Sequence, residues 1–592
     1  MAETLISPGV LARENDQSFV TGQPVVRGAA IIGPTVLGPI ERPTLVSSFS
    51  AFQAKFGGAL KSGSGQFTYL TSIAANQYFQ NGGESLLVTR VVSASATWAP
   101  ATSSLIPTGS GGPTSGLSPF VLETISEGEI MNNTGSMASG APADATNGQL
   151  LSGSVNNVRW EIAASNTSSG VFSLLIRRGN DTQNQKVVLE QYNNISLDPF
   201  SPNYIERAIG NMTTTVITEG SDTFIQESGS FPNISNYVRV KQVNFATPEY
   251  FNNDGSAKDE FTGSLPVVGS GSYGGTFGAG AGSNINSKAP NLFYELIDGS
   301  SVTANTQGLI GDDYTTAIAL MSNTDDYQYN VISAPGLNNQ STSTQITSLV
   351  NNTITRGDSI FVLDLVKYNQ AIATVVNQSS GFDSSYAATY WPWVQTIDPN
   401  TAQMVYVPPS TFIPGVYAFT DASADPWFAP AGITRGGMGQ VVRAERRLTS
   451  TNRDTLYESN VNPIATFPGQ GVVVFGQKTL QKASSALDRV NVRRLLITLK
   501  DFISQIADNL VFEQNTIATR QNFLTQVNPY LESVQQRQGL YAFKVVMDES
   551  NNTPDVIDRN ELIGQIFLQP TKTAEFIILD FNVLPTGATF PA

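Results

Sequence analysis

The sequence predicts a multidomain α/β (α+β) protein, in which an α/β core is interrupted by a β-rich insertion and followed by a block of helices and strands. Strand and helix patterns alternate in residues 21–97 and again in 288–475, which we expect to form one discontinuous core. Between them, residues 98–287 carry short β-like runs separated by Gly, Ser and Asn loops. Residues 476–592 carry two helical patterns and then strand patterns. Extended arms are expected at both ends of the chain.

Residues 1–20 are expected to form the first of these arms. Pro8 fixes its own φ angle and removes a backbone donor, so a strand containing it suits the edge of a sheet. A terminal strand with few local partners can stay disordered or pair with another chain.

The first part of the core shows a strand, a helix and a second strand. Residues 25–32 are largely apolar and predict a strand. Around residues 67–79 apolar side chains recur at helical spacing, and Asn81-Gly82-Gly83 provides a stop. Residues 85–92 have the composition of a buried strand.

The insertion differs from the core in both pattern and charge. Its β-like runs at 171–176, 186–189 and 237–243 predict one or two β-rich domains. Residues 98–330 hold 22 acidic and 9 basic side chains, so they carry −13 of the net charge of −15. The acidity of the chain is therefore regional.

The second part of the core contains the clearest parallel unit. Residues 330–336 read as a strand followed by a turn, and a helical stretch then places Ile346, Leu349 and Val350 on one face. Residues 359–364 form a second, mostly apolar strand. Strand, helix and strand at this spacing predict a parallel βαβ unit.

The C-terminal block is predicted to contain two helices and three strands. The first helix is amphipathic; its apolar positions are Leu487, Val490, Leu495, Leu499, Phe502, Ile503, Ile506 and Leu510. The second begins near Thr516, with Phe523, Val527, Leu531 and Val534 inward; we expect Pro529 to kink or restart it and Gly539 to stop it. Strands follow at 540–547, 562–569 and 575–583, with a loop at 548–558.

Composition excludes several common classes of function. The chain has neither cysteine nor histidine, so it has no disulfide, no thiolate nucleophile, no Ser–His–Asp triad and no imidazole zinc site. An enzyme is therefore a minority interpretation. The acidic balance argues against binding to nucleic acid. No stretch approaches the ~18 apolar residues of a membrane span, and the first residues lack the features of a secretory signal. We expect synthesis in the cytoplasm.

Two motifs could carry binding chemistry, and each has a simpler interpretation. Residues 269–274 match GxGxxG, but more glycines follow them instead of a helix, so we interpret them as a flexible loop. The acidic pairs Asp312-Asp313 and Asp325-Asp326 lack EF-hand spacing and are interpreted as solvated turns. We expect no metal and no cofactor.

Basic and aromatic clusters are interpreted in the same way. Arginines gather in two places, at Arg443, Arg446, Arg447 and Arg453 and at Arg493 and Arg494. A phosphate site is one interpretation, but ion pairing toward an acidic neighbour or plain solvation is favoured. Trp391, Trp393 and Trp427 are expected to be buried in a core or an interface.

Five stretches in order carry a family resemblance. Residues 384–394 read SSYAATYWPWV, residues 407–421 contain VPPS and IPGVYAFTD, and residues 426–432 read PWFAPAG. Upstream, SPGV stands at 7–10 and EQYNNISLD at 190–198. Together these stretches resemble contractile tail sheath proteins. Residues that carry the resemblance are Pro8, Gly9, Tyr386, Pro392, Trp393, Pro408, Pro409, Gly415, Asp421, Pro430 and Gly432. Leu11 and Phe419 depart from the residues that the family usually has there.

The resemblance implies a structural function without cofactors. Sheath subunits polymerise as stacked hexameric rings around a tail tube, and contraction drives the tube through the host envelope. The implied partners are further copies of the chain, the tail tube protein, the baseplate and the tail terminator or neck proteins, with no direct contact with nucleic acid and no membrane insertion. The implied location is the virion, with assembly in the host cytoplasm. The acidic insertion would then lie mainly on the outer surface.

The two terminal segments, residues 4–12 and 575–583, are expected to link subunits by adding strands to a neighbour's sheet. Their contact residues are predicted to be Leu5, Ile6, Val10, Leu11, Phe576, Ile577, Ile578, Leu579 and Phe581.

Three other interpretations stay open at this point. The chain could form the sheath of a phage-tail-like bacteriocin or another contractile injection system. The Asn- and Ser-rich β segment is also typical of a carbohydrate-binding tail fibre or adhesin, although the helices of 478–538 argue against it. A hydrolase that uses Asp and Glu is the third; turnover abolished by one carboxylate substitution would support it.

Overall fold

The computed structural model describes residues 27–62, 65–92, 100–109, 117–125, 158–179, 181–220, 222–269, 307 and 309–575. The predicted arm at 4–12 lies outside these residues, as do 576–583 of the predicted terminal strand. Of the GxGxxG stretch, only Gly269 is described. Predictions for those segments therefore stay predictions.

The first part of the core follows the predicted order of strand, helix and strand. Its elements are β1 (Ala29–Gly33), β2 (Thr44–Val46), α1 (Phe49–Phe56), β3 (Leu60–Ser62), β4 (Gly65–Phe67), α2 (Leu70–Gln80) and β5 (Leu86–Arg90). Helix α1 begins where the Ser48 side chain accepts a hydrogen bond from the Ala51 amide, which satisfies a free donor of the first turn. The strands expected at 25–32 and 85–92 correspond to β1 and β5.

The insertion is built mainly from antiparallel strands. Its elements are β6 (Phe120–Thr124), β7 (Val158–Asn166), β8 (Val171–Arg178), β9 (Val188–Ser196), α3 (Ile205–Ile209), β10 (Thr213–Glu219), β11 (Asp222–Ser228), β12 (Val238–Val243) and α4 (Asp259–Thr262). Strands β7, β8 and β9 form one sheet, β10 pairs with β11, and β12 pairs with β6.

The second part of the core supplies most of the remaining strands. Its elements are α5 (Thr315–Leu320), β13 (Val331–Asn338), α6 (Ser343–Arg356), β14 (Ile360–Asp364), α7 (Ile372–Ser379), β15 (Ala387–Trp391), β16 (Val394–Ile397), β17 (Met404–Val407), α8 (Ile413–Ser423), α9 (Gly432–Arg435), β18 (Val441–Ala444), α10 (Ser450–Glu458), β19 (Asn462–Phe467) and β20 (Gly471–Val474). Strands β13 and β14 are parallel and α6 connects them, which confirms the predicted βαβ unit.

An eight-stranded sheet joins the two parts of the core. Its order is β2-β5-β1-β13-β14-β15-β19-β20, and the six inner strands are parallel while β2 and β20 are antiparallel to their neighbours. Strand β1 pairs with β13, although the whole insertion lies between them in sequence. Alternate residues of β1 enter two separate apolar clusters, Ala29 and Ile31 one and Ala30 and Ile32 the other. This burial on both sides explains why β1 has no polar side chain.

The last elements are α11 (Val490–Asp508), α12 (Ile517–Gln536), β21 (Leu540–Val546), α13 (Pro554–Asp558) and β22 (Gln565–Pro570). Residues 499–571 form a compact unit of their own, which we call the C-terminal unit. Residues 27–498 and the segment that starts at Lys572 belong to the other, the core unit. The predicted fold class, an α/β core with a β-rich insertion and a helix-plus-sheet block, is confirmed.

Three local features of this block differ from the predictions. Of the kink or restart expected at Pro529, the restart is wrong: α12 includes Pro529, because Phe523, Val527, Leu531 and Val534 are buried on one face and outweigh the lost hydrogen bond. The stop is one residue earlier than expected: Gln538, not Gly539, adopts the left-handed conformation with φ of 66°. The Gly539 amide then donates to the Val534 carbonyl at 2.9 Å. The expected loop at 548–558 contains α13.

Candidate functional site

Three side chains at the start of α11 contact all three motif stretches of residues 384–432. We call Asn491, Arg493 and Arg494 the hub. The Arg493 guanidinium lies 3.9 Å from the ring centroid of Tyr386 and donates to the Ser385 hydroxyl. An Arg stacked on an aromatic face both buries the ring and keeps a cation close to its negative surface.

Arg494 holds the second stretch. Its Nη2 donates to both oxygens of Asp421, at 2.7 and 2.5 Å, and its guanidinium lies 4.7 Å from the Tyr417 ring centroid. Burial raises the pKa of Asp421, and the Arg494 charge and hydrogen bonds counteract part of that rise. Tyr417 in turn shares a hydrogen bond of 2.7 Å with the hydroxyl of Tyr390. Burial raises the pKa of Tyr417 to about 12.

Asn491 holds the third stretch, since its side-chain amide donates to the Trp427 carbonyl at 3.1 Å. All three hub residues are buried. The prediction that Arg493 and Arg494 are solvated is therefore wrong, whereas the expected ion pairing is found for Arg494, with Asp421 of the same chain. The amphipathic pattern of α11 could have revealed this, because both residues lie next to its apolar positions.

The serine of the PPS motif hydrogen-bonds to a buried carboxylate at the end of β14. Ser410 donates its hydroxyl to one oxygen of Asp364 at 2.6 Å and its amide to the other at 3.2 Å. Full burial raises the pKa of Asp364 to about 7, and the two bonds from Ser410 oppose the rise. Ser410 thus offsets part of the cost of burying the Asp364 carboxylate at the end of β14.

Two motif glycines serve packing and backbone geometry. A Cβ at Gly415 would stand 3.0 Å from the Gln77 carbonyl and from the Asn81 side chain, so glycine lets α8 approach α2 closely. Gly432 has φ of 83°, which favours glycine over residues with a side chain.

The remaining described motif residues are buried. They are Pro392, Trp393, Pro408, Pro409 and Pro430. The Trp393 indole donates to the Val366 carbonyl at 3.2 Å and meets the Tyr368 ring edge-on. Trp391 and Trp427 are buried too, as predicted for all three tryptophans. The motif residues Pro8 and Gly9 and every predicted arm contact, from Leu5 to Phe581, lie outside the described residues.

The other arginine cluster contacts aromatic rings. Arg443 lies over Tyr406, Arg446 over Trp391, and Arg453 over both Phe467 and Phe475, with guanidinium-to-centroid distances of 5.4–5.8 Å. These contacts favour packing over a phosphate site.

The prediction of solvated acidic turns is confirmed for Asp312, Asp325 and Asp326 and wrong for Asp313. Asp325 and Asp326 are exposed in a turn, where Asn323 accepts from both of their amides. Asp313 is instead buried in a 3-10 turn, and its carboxylate accepts from the Ile310 amide at 2.8 Å. In the described ranges, no group of three or more Asp or Glu could hold a metal ion.

A second polar cluster lies where the C-terminal segment begins. Glu575 accepts two hydrogen bonds from Arg489, from Nε at 2.7 Å and from Nη2 at 3.0 Å. Tyr457 donates to it at 2.9 Å and Gln477 at 3.1 Å, and Gln477 also donates to the Thr573 hydroxyl at 2.7 Å. We call Glu575 and these three donors the clamp. The sequence does not predict the clamp, since no local pattern marks partners about 90 to 120 residues apart.

Both clusters are built for holding elements together. They use bidentate ion pairs, cation–π contacts and side-chain bonds to backbone, and they connect segments that are far apart in sequence. Among the residues that the structure describes, no helix is both long and apolar enough to cross a membrane.

Comparison with known proteins finds similarity to tail sheath proteins in the second half of the chain. Residues 307–480 match the phage tail sheath protein central domain, and residues 482–584 match the phage tail sheath C-terminal domain. The tail sheath protein of Vibrio phage KVP40 is 39% identical over 224 residues, which are 37% of this chain and 32% of that protein. The tail sheath protein of Enterobacteria phage T4 is 34% identical over 227 residues, 38% of this chain and 34% of that protein.

A solved structure shares the fold. The sheath tail protein from Listeria innocua superposes with a TM-score of 0.50 at 12% identity, over 93% of this chain and 96% of that one. The matched segments, residues 307–480 and 482–584, are similar to contractile tail sheath proteins. Its aligned segment spans about a third of the length of the two phage relatives.

Proposed function

We propose that this chain is the polymerising subunit of a contractile phage tail sheath. Copies assemble as stacked hexameric rings around a tail tube, and contraction drives the tube through the host envelope to deliver the genome. The observation that carries this proposal is the match of two adjacent sheath domains across residues 307–584. The hub supports it, because it connects the motif stretches of the first matched domain to the helix that begins the second.

The C-terminal unit offers an acceptor for neighbouring subunits. Its sheet has two strands within the described chain, β21 and β22, so the outer edge of each strand is open there. Tyr541 and Phe567 on these strands are exposed. A two-stranded sheet is marginally stable in water, and added strands supply both backbone hydrogen bonds and apolar cover. In this proposal, residues 4–12 and 575–583 of neighbouring subunits are those added strands.

Contraction then needs no nucleotide and no catalysis. The assembled subunits hold an extended packing that is less stable than the contracted one, and a signal from the baseplate releases the change. The partners in this mechanism are other copies of the chain, the tail tube, the baseplate and the neck proteins. The location is the virion after assembly in the host cytoplasm, with the acidic insertion mainly on the outside.

A phage tail and a phage-tail-like injection particle would share this architecture, and we propose that the chain is part of a phage tail. Genes for a capsid and a terminase next to the sheath gene would support it. A neighbourhood with tube and baseplate genes but no capsid gene would instead identify a phage-tail-like bacteriocin or another injection particle.

Negative-stain electron microscopy of the purified chain tests the polymer directly. We expect long tubes or rings at high protein concentration. A chain lacking residues 1–20 should stay folded, with an unchanged circular dichroism spectrum, and should form no tubes. A full chain that stays monomeric at high concentration would contradict the proposed function, whereas normal tubes from the truncated chain would contradict only the role of the arm.

A further inference from the structure

The path of the chain after β22 is unexpected for a C-terminal domain. Strand β22 ends at Pro570 inside the C-terminal unit, but the described residues 572–575 belong to the core unit. The chain therefore returns to the core, and Glu575, the first residue of the predicted arm, is bonded there. A chain that left directly from β22 would need no such return.

The clamp fixes this return point to three separate parts of the core unit. Tyr457 lies on α10, Gln477 follows β20, and Arg489 immediately precedes α11. The Gln477 carbonyl also accepts from the Val490 amide at 2.8 Å, so Gln477 is bonded to the residue that follows Arg489. Glu575 thus contacts three separate parts of the core unit through a single carboxylate.

The clamp is continuous with the eight-stranded sheet. Lys478, next to Gln477, donates its amide to the Asn462 side chain at 2.6 Å, and that side chain donates to the Lys478 carbonyl at 2.7 Å. Asn462 starts β19 and also donates to the Thr389 carbonyl of β15 at 3.0 Å. Side-chain bonds therefore connect the clamp to two inner strands of the sheet.

The charge of Glu575 is held in place by its surroundings. Partial burial by itself raises the pKa of a carboxyl, but the bonds from Arg489, Gln477 and Tyr457 outweigh it, so the pKa of Glu575 lies below its usual value. Asp488 also contacts Arg489, at 3.1 Å, and Lys478 lies 4.4 Å from the Tyr457 ring centroid. Glu575 stays ionised and the bidentate pair stays formed near neutral pH.

We infer that the clamp is the mechanical anchor of the C-terminal arm, which carries tension from residues 576–583 to the core sheet and keeps it away from β22. This inference rests on the proposed function, since it assumes that the arm is pulled by a neighbouring subunit. Without the clamp, the same tension would pass through Lys572 and peel β22 from β21. Those are the strands proposed to accept arms from other subunits. The anchor therefore keeps tension on a subunit's own arm from disturbing the strands that bind its neighbours' arms.

Single-molecule pulling on the monomer tests the anchor without requiring assembly. The chain has no cysteine, so Thr451→Cys on the exposed side of α10 provides a unique attachment point, and a C-terminal tag provides the other. If the clamp opens, the force unfolds the C-terminal unit and releases about 250 Å of chain, at ~3.4 Å for each of its residues. We expect Glu575→Gln to lower the force of that event at least twofold. Tyr457→Phe, which removes one donor, should lower it less.

The matched control is Glu561→Gln, which breaks an exposed ion pair with Arg559 in the C-terminal unit itself. It should leave the force unchanged, and the double variant Arg489→Glu with Glu575→Arg should restore part of it. Equal forces for Glu575→Gln and the wild type would overturn the anchor.

Shearing of assembled tubes provides the second readout. Tubes of Glu575→Gln should break to a mean length several-fold shorter than wild-type or Glu561→Gln tubes, and unchanged lengths would also overturn the anchor. If the wild type forms no tubes, the proposed function fails, and the pulling result still decides whether the clamp is an anchor.

Discussion

The insertion and the core each bury an arginine against carboxylates, but the partners are separated by very different lengths of chain. In the insertion, Arg177 bonds to Asp181 at 2.7 Å and to Glu161 at 2.6 Å, 4 and 16 positions away. In the core, Arg494 reaches Asp421 across 73 positions. The first network stabilises one hairpin of one sheet. The second network joins α11 to the motif segment that contains Asp421, which lies 73 positions earlier in the sequence.

This difference shows what each charge cluster contributes. Arg177 and Asp181 are fully buried, so their pairing compensates a desolvation cost that the sheet itself creates. Arg494 is buried against a partly exposed Asp421 and stacks on Tyr417, so it supplies packing and orientation as well as charge. We therefore expect the insertion network to act locally and the hub to act between distant elements.

The largest effect is expected from Arg177→Leu. It leaves Asp181 and Glu161 as buried charges with one partner fewer, which should lower the free energy of unfolding of the insertion by about 4–5 kcal/mol. Hydrogen exchange should show lost protection in β7, β8 and β9.

The control for this prediction neutralises the two carboxylates that pair with Arg177. Arg177→Leu combined with Asp181→Asn and Glu161→Gln should recover only part of the loss, because the buried Arg159, 3.8 Å from Asp181, then loses its carboxylate. Lost protection that spreads equally through β13 and β14 would contradict a local role.

The next largest effect is expected from Arg494→Ala. It should lower the free energy of unfolding by about 3 kcal/mol, because it exposes the Tyr417 ring and leaves the Asp421 carboxylate partly buried without its cation. Urea denaturation measures it. Arg494→Lys keeps the charge but loses the planar stacking, so it should recover less than half. Full recovery by lysine would show that charge alone is needed.

Asp364→Asn is expected to have a smaller effect on the free energy of unfolding, and this effect depends on pH. Because burial raises the folded pKa of Asp364 to about 7, the folded state keeps a proton that the unfolded state loses near pH 4. Stability from this group is therefore greatest at low pH and falls as pH rises toward 7. Between pH 5 and pH 7 the wild type should lose about 2 kcal/mol, since one proton is worth at most about 1.36 kcal/mol per pH unit.

The Asp364→Asn variant should show a flatter stability profile in this range. Burial also raises the pKa of Glu445 to about 7, so Glu445→Gln should remove a second, separate part of the slope. Urea denaturation at a series of pH values measures both. A slope that Asp364→Asn leaves unchanged would contradict the assignment.

Local patterns predicted most of the core. The apolar runs that became β5 and β14, and the periodicity of α6 and α11, depend on neighbours within a few residues and on burial, so sequence was enough. The expectation that α12 restarts at Pro529 failed, because packing of a whole helix face outweighed a local preference. The prediction of a solvated turn failed at Asp313, whose burial depends on the tertiary fold.

The candidate site was predicted in part. The motif residues Tyr386, Gly415 and Asp421 were identified from their resemblance to a family, but nothing in their spacing showed that one helix turn contacts all three stretches. Arg493 and Arg494 were expected at the surface, because two adjacent charges are usually solvated. The clamp was not predicted, because Glu575 has no local pattern to distinguish it.

The sequence by itself determined the class of fold, the absence of thiol and imidazole chemistry, and the resemblance to a family, because these depend on composition, periodicity and motifs that can be read without coordinates. Only the tertiary structure decided which charged side chains are buried and which residues they pair with. Desolvation and hydrogen bonding depend on distances between residues that are far apart in sequence, such as Arg489 and Glu575, 86 positions apart. The hub and the clamp are both of this kind.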